Sequence, residues 1–377
     1  MKTESTYTKL LTDMLAIPAH SREEHRRADF LETFLESCGL SVIRKHNNLL
    51  VGQPAQQESG AHKREKERLR ILMNSHMDTV APVDGWKSNP YQPELRDDRI
   101  TGLGSNDAGA SVVTMIAAYR DLCKQIEDEI ELFLLISAEE EVSGSSGISA
   151  ILPMVGILDG AIVGEPTGMQ PAVAERGLMV LDGTVRGKAG HAARGEGENA
   201  IYKAMDDIQS IAGLSYEKKS RWLPDPGAQV TMITAGTSHN VVPDLCTYVV
   251  DVRSNDRYKN REMLDVIRKV CLAELTPRST RLEPSFLDTD HFFMEAIQRC
   301  ELRPYGSSTL SDMALIPFPA MKMGPGDPVR SHTAEEFILT GEINAGISGY
   351  RRLLLTIYEM TRSREKLKDK TNHEALG

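Results

Sequence analysis

Four apolar runs of strand length, 69–73, 130–138, 161–164 and 320–324, are each followed by acids or an imidazole: His76 and Asp78, Glu140 and Glu141, Glu165 and, farther on, His332. A chain with this pattern buries the runs side by side and lets its polar residues leave the sheet at one edge. In an open sheet of mostly parallel strands, ligands bind outside the C-terminal strand ends, so residues scattered along the chain converge there. The expected fold class is therefore α/β with a mixed, largely parallel sheet. Within 74–79, His76 and Asp78 point the same way, because side chains of an extended chain alternate with period two. One can bind a metal while the other orients it. A lone His-x-Asp is equally an ordinary satisfied pair; its recurrence at four strand ends favours a metal site.

With 377 residues, 40% of them hydrophobic, the chain has material for about two domains. A formal charge of −10 and a pI near 5.6 exclude the basic footprint of a general nucleic-acid binder. The five cysteines form no CxxC pair, and neither a signal peptide nor a membrane-length apolar run is present. These features lead us to expect a cytoplasmic enzyme with reduced thiols, bound neither to membrane nor to nucleic acid.

In chain order, 10–17 has helical spacing, and Ser21 to Glu24 offers a capping box for a helix ending at Gly39. Segments 40–44 and 49–51 flank a turn at Asn47 and Asn48, and 53–68 reads as a polar surface loop. Prolines in 86–93 indicate an irregular wall. Gly102 to Gly109 resembles a dinucleotide loop, but the third glycine of GxGxxG falls on Asp107, which removes that reading. Asp107 instead is expected to begin a helix reaching about Lys124, as a cap or as a ligand. From Gly177 the texture changes, with strands at 177–187, 229–235 and 244–253 and helices at 199–214 and 261–275. The expected division is a discontinuous metal-binding catalytic domain, 1–176 and 287–377, interrupted by an α+β lid or dimerisation domain, 177–286. An amphipathic helix over 342–360 and a fraying tail from 361 end the chain.

Hydrolytic metal chemistry at neutral pH needs carboxylates and imidazoles, an open position for water and a base. His76, Asp107, Glu141, Glu165 and His332 supply the ligands. One bridging carboxylate among five ligands fits two zinc ions about 3.5–4 Å apart. Glu140 is then left over as general base. No G-x-S-x-G elbow or cysteine-nucleophile signature offers a rival scheme.

Segments 75–79, 104–109, 139–141, 163–167, 187–191, 240–243 and 331–335 occur in the order found in dinuclear zinc aminoacylases and exopeptidases, which the chain resembles over about residues 5 to 360. Through Gly164 to Thr167 and Gly190 to Ala193 it looks most like the acetylornithine deacetylase group with its succinylornithine-processing branch. The resemblance implies a zinc-exopeptidase-like catalytic domain and two Zn²⁺ per subunit, for which Co²⁺ substitutes. One ion would be held by His76, Asp107 and Glu165, the other by Asp107, Glu141 and His332. Asp78 would orient His76, Glu140 would act as base, and His191 would stabilise the oxyanion. Asn240 and Arg253 would meet the amino-acid part of the substrate. The family's Asp-Glu-Glu is here Glu139-Glu140-Glu141, so Glu139 stands as the alternative base. Arg194 and Arg330, each beside a motif, suit a second carboxylate on the acyl chain. The implied activity is hydrolysis of an N-acyl amino acid, N-acetyl- or N-succinyl-ornithine first, by a homodimer joined through the inserted domains. A succinyl-diaminopimelate desuccinylase-like enzyme or a dipeptidase is the alternative.

Overall fold

The computed structural model describes residues 2–52 and 68–374, and side chains over 6–52 and 68–364. The polar loop expected over 53–68 thus lies, except for Arg68, outside the described residues. The chain divides into two compact units: Met1–Val173 with Leu287–Tyr305 and Ser311–Gly377, and Ala174–Phe286 with Gly306–Leu310.

The first unit is built on a mixed sheet. Its strands run in the order Val42–Lys45, Asn48–Val51, Ile130–Ser137, Leu69–His76, Gly160–Val163, Ala320–Lys322 and Ala172–Glu175. The four central members, from Ile130–Ser137 to Ala320–Lys322, are mutually parallel, with His76 opposite Ser137 and Lys322 opposite Val163. Leu69–His76 and Ile130–Ser137 are buried almost throughout, as continuous apolar runs covered on both faces must be. One face packs Phe133, Leu135 and Val163 against Ile148, Ile151 and Phe318. The C-terminal ends of these strands release His76, Glu139 to Glu141 and Glu165 at one edge.

Three local expectations are corrected. Ser21 and Glu24 make no capping box for the helix His25–Ser37; their side chains bind other parts of the unit. The helix after Asp107 begins only at Ala110, with Asp107 itself extended at φ −119° and ψ 99°. The C-terminal helix runs Thr340–Glu374, through the segment expected to fray.

The second unit holds a four-stranded antiparallel sheet in the order Gly227–Ala235, Leu245–Arg253, Met179–Arg186 and Glu274–Pro277. Residues 274 and 275, expected to end a helix, instead begin its edge strand Glu274–Pro277, because the helix Asn260–Val270 stops early. Burial alternates along Met179–Arg186, the mark of a sheet covered on one face. Its core joins Leu181, Tyr248 and Val250 to Ala204, Ile211, Met263 and Ile267 of the helices Ala200–Ala212 and Asn260–Val270. On the outer edge strand Met232 and Ile233 are exposed, as are Tyr202 and Met205 on the first helix. All five cysteines are free. Among the described residues no helix is long and apolar enough to cross a membrane.

Candidate metal centre

His76 closes its strand with its ring fully buried, and its Nδ1 lies 3.0 Å from the backbone oxygen of Asp78. A carbonyl oxygen only accepts, so Nδ1 carries the proton and Nε2 is left for a metal. Nε2 lies 3.3 Å from Asp107 Oδ1, 3.8 Å from Glu165 Oε1 and 4.0 Å from Glu140 Oε2. The other Asp107 oxygen, Oδ2, is 3.6 Å from His332 Nε2. His332 Nε2 is also 3.0 Å from Glu141 Oε2. Asp107 thus offers one oxygen to each imidazole, the disposition of a bridging carboxylate.

Hydrogen bonds to backbone amides hold these groups in place. The Asp78 carboxylate accepts the N–H of Glu140 at 3.1 Å, the N–H of Glu141 at 3.2 Å and the Ser21 hydroxyl at 2.7 Å. It also stands 3.5 Å from His76 Nδ1, so this one aspartate braces the histidine and both glutamates. Glu139 turns the chain at φ +55°, and its carboxylate accepts the Ser146 N–H while packing over Gly144. Glu140 and Glu141 are the members of the acidic triplet that approach imidazoles.

Three further carboxylates belong to this framework, two of them unremarked in the sequence and the third, Glu24, expected there only as part of a helix cap. Glu336 accepts the N–H groups of Gly104, Asn106 and Asp107, tying the Asp107 loop to the segment that carries His332. Asp312 accepts from Asn74 Nδ2 and the Ser137 hydroxyl at adjacent strand ends. Glu24 accepts the Glu139 N–H at 3.2 Å. Glu336 directly follows the last quoted motif, whereas the capping-box spacing that marked Glu24 pointed to a helix end rather than to this framework.

The electrostatics are those of a site built for cations. Burial pushes Glu165 up to about 8 and Glu140 well above the carboxylate range. Burial would lower His76, but hydrogen bonds to Asp107 and Asp78 raise it well above its ordinary value. The hydrogen bond to Glu141 lifts His332 to about 9. Glu165 Oε1 is buried without a hydrogen-bond partner, a costly state for an oxygen meant to stay in a protein lacking any cation there. Ligand atoms of His76, Asp107 and Glu141, and again of His76, Glu140 and Glu165, lie within 4.8 Å of one another. Imidazole and carboxylate donors at that spacing fit a divalent cation such as zinc.

The remaining expected site residues lie in or near other parts of the chain. His191 and Asn240 occupy the second unit, where Gly190–His191 pairs with Val241–Val242 and the Ala192 N–H donates to the Asn240 oxygen. His191 Nδ1 accepts the Ala193 N–H at 3.2 Å, so the neutral ring keeps its proton on Nε2, as a donor. A cavity of about 490 Å³ lined by Ala192, Thr237, Ser238 and His239 adjoins this pair. Arg253 forks onto Asp251 at 2.7 and 3.0 Å. In the first unit Arg330 donates to Glu342 at 2.7 Å and stacks over Phe337. Arg194 ends the short turn after His191 and is exposed.

The model of Peptidase family M20/M25/M40 matches residues 72–356. A succinyl-diaminopimelate desuccinylase of Verminephrobacter eiseniae is 28% identical over 261 residues, 62% of this chain and 64% of the relative. This chain thus spans just under two thirds of that relative's length. The solved aminopeptidase PepT of Bacillus cereus superposes with a TM-score of 0.72 at 20% identity, over 95% of this chain and 99% of that one. The YxeP protein of Bacillus subtilis, described as a dinuclear metal-binding peptidase, gives 0.66 at 14% identity, over 94% and 98%.

Proposed function

The chain belongs to peptidase family M20/M25/M40 and is a metal-dependent amidohydrolase; from that premise we propose that it cleaves the amide of an N-acyl diamino acid, releasing a carboxylic acid and a free amine. The acyl group of first choice is succinyl, supported by the desuccinylase relative. Ornithine and diaminopimelate are the candidate amines, with N-acetyl-ornithine the competing substrate. The single observation that carries the reading is the meeting of four carboxylates and two imidazoles at the sheet edge, where one oxygen of Glu165 is buried with no hydrogen bond.

In this reading His76, Asp107 and Glu165 would hold one zinc ion and Asp107, Glu141 and His332 the other. When bound, such ions acidify water and polarise a carbonyl. Glu140, 4.0 Å from His76 Nε2 and raised by burial, takes a proton at its carboxylate oxygen from the water that adds to the acyl carbon and returns it to the leaving nitrogen as the C–N bond breaks. Glu139 is the weaker candidate for base, since its carboxylate is engaged by the Ser146 N–H. Asp78 keeps the His76 proton on Nδ1 and fixes the amides of the two glutamates. His191 donates from Nε2 to the developing oxyanion. Asn240, next to His191 through Ala192, binds the amino-acid part, Arg253 is a candidate cation for its carboxylate, and of the two arginines that suit a carboxylate on the acyl chain Arg194 is exposed while Arg330 is engaged by Glu342.

The unit Ala174–Phe286 serves as lid and dimerisation domain, supported by the exposed Met232, Ile233, Tyr202 and Met205. His191 is delivered by one subunit's inserted unit to its partner's metal centre. Free cysteines fit a cytoplasmic location.

The test is a hydrolysis panel on protein stripped of metal and reloaded with zinc or cobalt. It comprises acetyl and succinyl derivatives of ornithine, citrulline, lysine and diaminopimelate, plus dipeptides, with released amine quantified. Preference for a succinyl diamino acid is expected. Cleavage of dipeptides alone would replace the deacylase reading with a dipeptidase.

A further inference from the structure

We infer that Glu24 is a positioning residue for the hydrolysis, holding the turn that carries Glu140; the inference rests on Glu140 being the base. Glu24 is completely buried although it lies far from the acidic triplet in sequence. Its Oε1 accepts the N–H of Arg22 at 2.6 Å and the N–H of Glu139 at 3.2 Å, while Oε2 accepts from Asn47 Nδ2 at 2.9 Å. The next two amides of the turn, those of Glu140 and Glu141, go to the Asp78 carboxylate. Three consecutive N–H groups are therefore held by two carboxylates from two separate segments of the unit, one just before the helix His25–Ser37 and one just after the central strand Leu69–His76.

The need for such an anchor lies in the backbone. Glu139 takes φ +55°, a left-handed conformation that a side chain with a Cβ adopts reluctantly. Its carbonyl accepts from Gly144 and its carboxylate from Ser146, which leaves the N–H as the remaining handle. Glu24 takes that handle. The segment around Glu24 is itself bound to the strand end by Ser21 on Asp78, Arg27 on the Met77 oxygen and the Thr79 N–H on the Ala19 oxygen. A turn fixed on only one side would let the Glu140 carboxylate shift by a fraction of an ångström, enough to cost rate without cost to substrate binding.

The test compares Glu24→Ala, Glu24→Gln and Leu35→Ala. Leu35 is buried on the helix following Glu24 and controls for lost stability. Each protein is loaded with zinc, its metal content and melting temperature are measured, and kcat and KM are taken on the best N-acyl amino acid. Amide hydrogen exchange is followed over 138–146 in the same samples. Glu24→Ala is expected to speed exchange at Glu139 and lower kcat roughly 10- to 100-fold, with KM and zinc content unchanged. Glu24→Gln, whose amide oxygen still accepts the Glu139 N–H while its amide nitrogen requires the Asn47 amide to turn over, should recover most of the exchange protection and kcat lost in Glu24→Ala. Leu35→Ala should melt earlier yet keep its kcat. Unchanged exchange at Glu139 in Glu24→Ala, or a kcat loss matched by Leu35→Ala, would overturn the inference. A wild-type protein inactive on every N-acyl amino acid would refute the deacylase reading, while the exchange data would still decide whether Glu24 holds the turn.

Discussion

The sheet of the first unit is covered on both faces, that of the inserted unit on one, and their polar groups differ accordingly. Around His76 a carboxylate that is not hydrogen-bonded has no water to turn to, so a scaffold of acceptors has formed: Asp78, Glu336, Asp312 and Glu24 each bind backbone or hydroxyl donors. In the inserted unit His191 and Asn240 sit exposed on two-residue strands and a loop, where solvent satisfies whatever the protein does not. Chemistry that depends on fixed geometry belongs to the first setting, and groups that must arrive and leave belong to the second. Substitutions in the two units should therefore fail differently.

The largest effect is expected inside the buried cluster. Glu140→Ala should lose about 10²- to 10⁴-fold in kcat while retaining its metals, since in the proposed scheme it removes the base and none of the ligands. Glu141→Ala should instead lose metal, read by elemental analysis after dialysis. Reversed phenotypes would exchange the two roles, and an inactive, metal-replete Glu139→Ala would shift the register by one residue.

The exposed counterpart comes next. His191→Ala should cost about 10²- to 10³-fold in kcat with metal content unchanged, the range for a lost oxyanion donor. If the donor is supplied by the partner subunit, a heterodimer of Glu140→Ala and His191→Ala chains regains activity, because the His191→Ala subunit keeps Glu140 and receives His191. Confirmed subunit exchange without recovery would assign the donor to its own subunit.

The same contrast explains what the sequence made legible. Residues 130–137 and 69–76 could be read as doubly covered strands because apolar runs of that length have few other uses, and the acids after them stood out against that background. The sequence pattern could not show which donors those acids meet. Ser21 and Glu24 have the spacing of a helix cap, yet tertiary contacts claim both side chains. Asp107 precedes a helical pattern, but Glu336 draws its amide away and delays the helix to Ala110. The helical spacing read over 261–275 is cut short where Cys271 turns extended and 274–277 pairs with Met179–Arg186. In each case a contact between distant segments outweighed a local preference.

Protons should compete with metal at the buried cluster alone, which gives a third, smaller effect. Glu165 is raised from 4.5 to about 8, so between those values the native state holds a proton that the unfolded chain has released, and stability falls as pH rises. His76, also raised, contributes stability that is present below about pH 6.5 and lost as pH climbs, the same sign. Metal-free protein should therefore melt roughly 5 °C lower at pH 8 than at pH 5. Zinc displaces those protons, so its increment in melting temperature should grow over the same window. His191→Ala should leave the trend intact. A zinc increment that shrinks toward pH 8 would mean the cluster is not what binds the ion.

The smallest expected effect separates two arginines that the sequence treats alike. Arg330 is four-fifths buried, bonded to Glu342, and stacked at 4.3 Å on Phe337, a ring that Arg99 also approaches at 3.7 Å. To read a substrate carboxylate it would have to leave Glu342 and give up that stacking. Arg194, exposed on the turn after His191, would surrender nothing comparable. Arg330→Ala should thus lower kcat/KM for acetyl- and succinyl-ornithine by the same modest factor, through the loop that carries His332 two residues on. Arg194→Ala should raise KM for the succinyl substrate alone, by about three- to tenfold, the worth of one solvent-accessible charge pair. A selective succinyl defect in Arg330→Ala would show that the buried arginine does exchange partners, and with it that the boundary between a fixed cluster and solvated recognition groups runs through the His332 loop rather than between the two units.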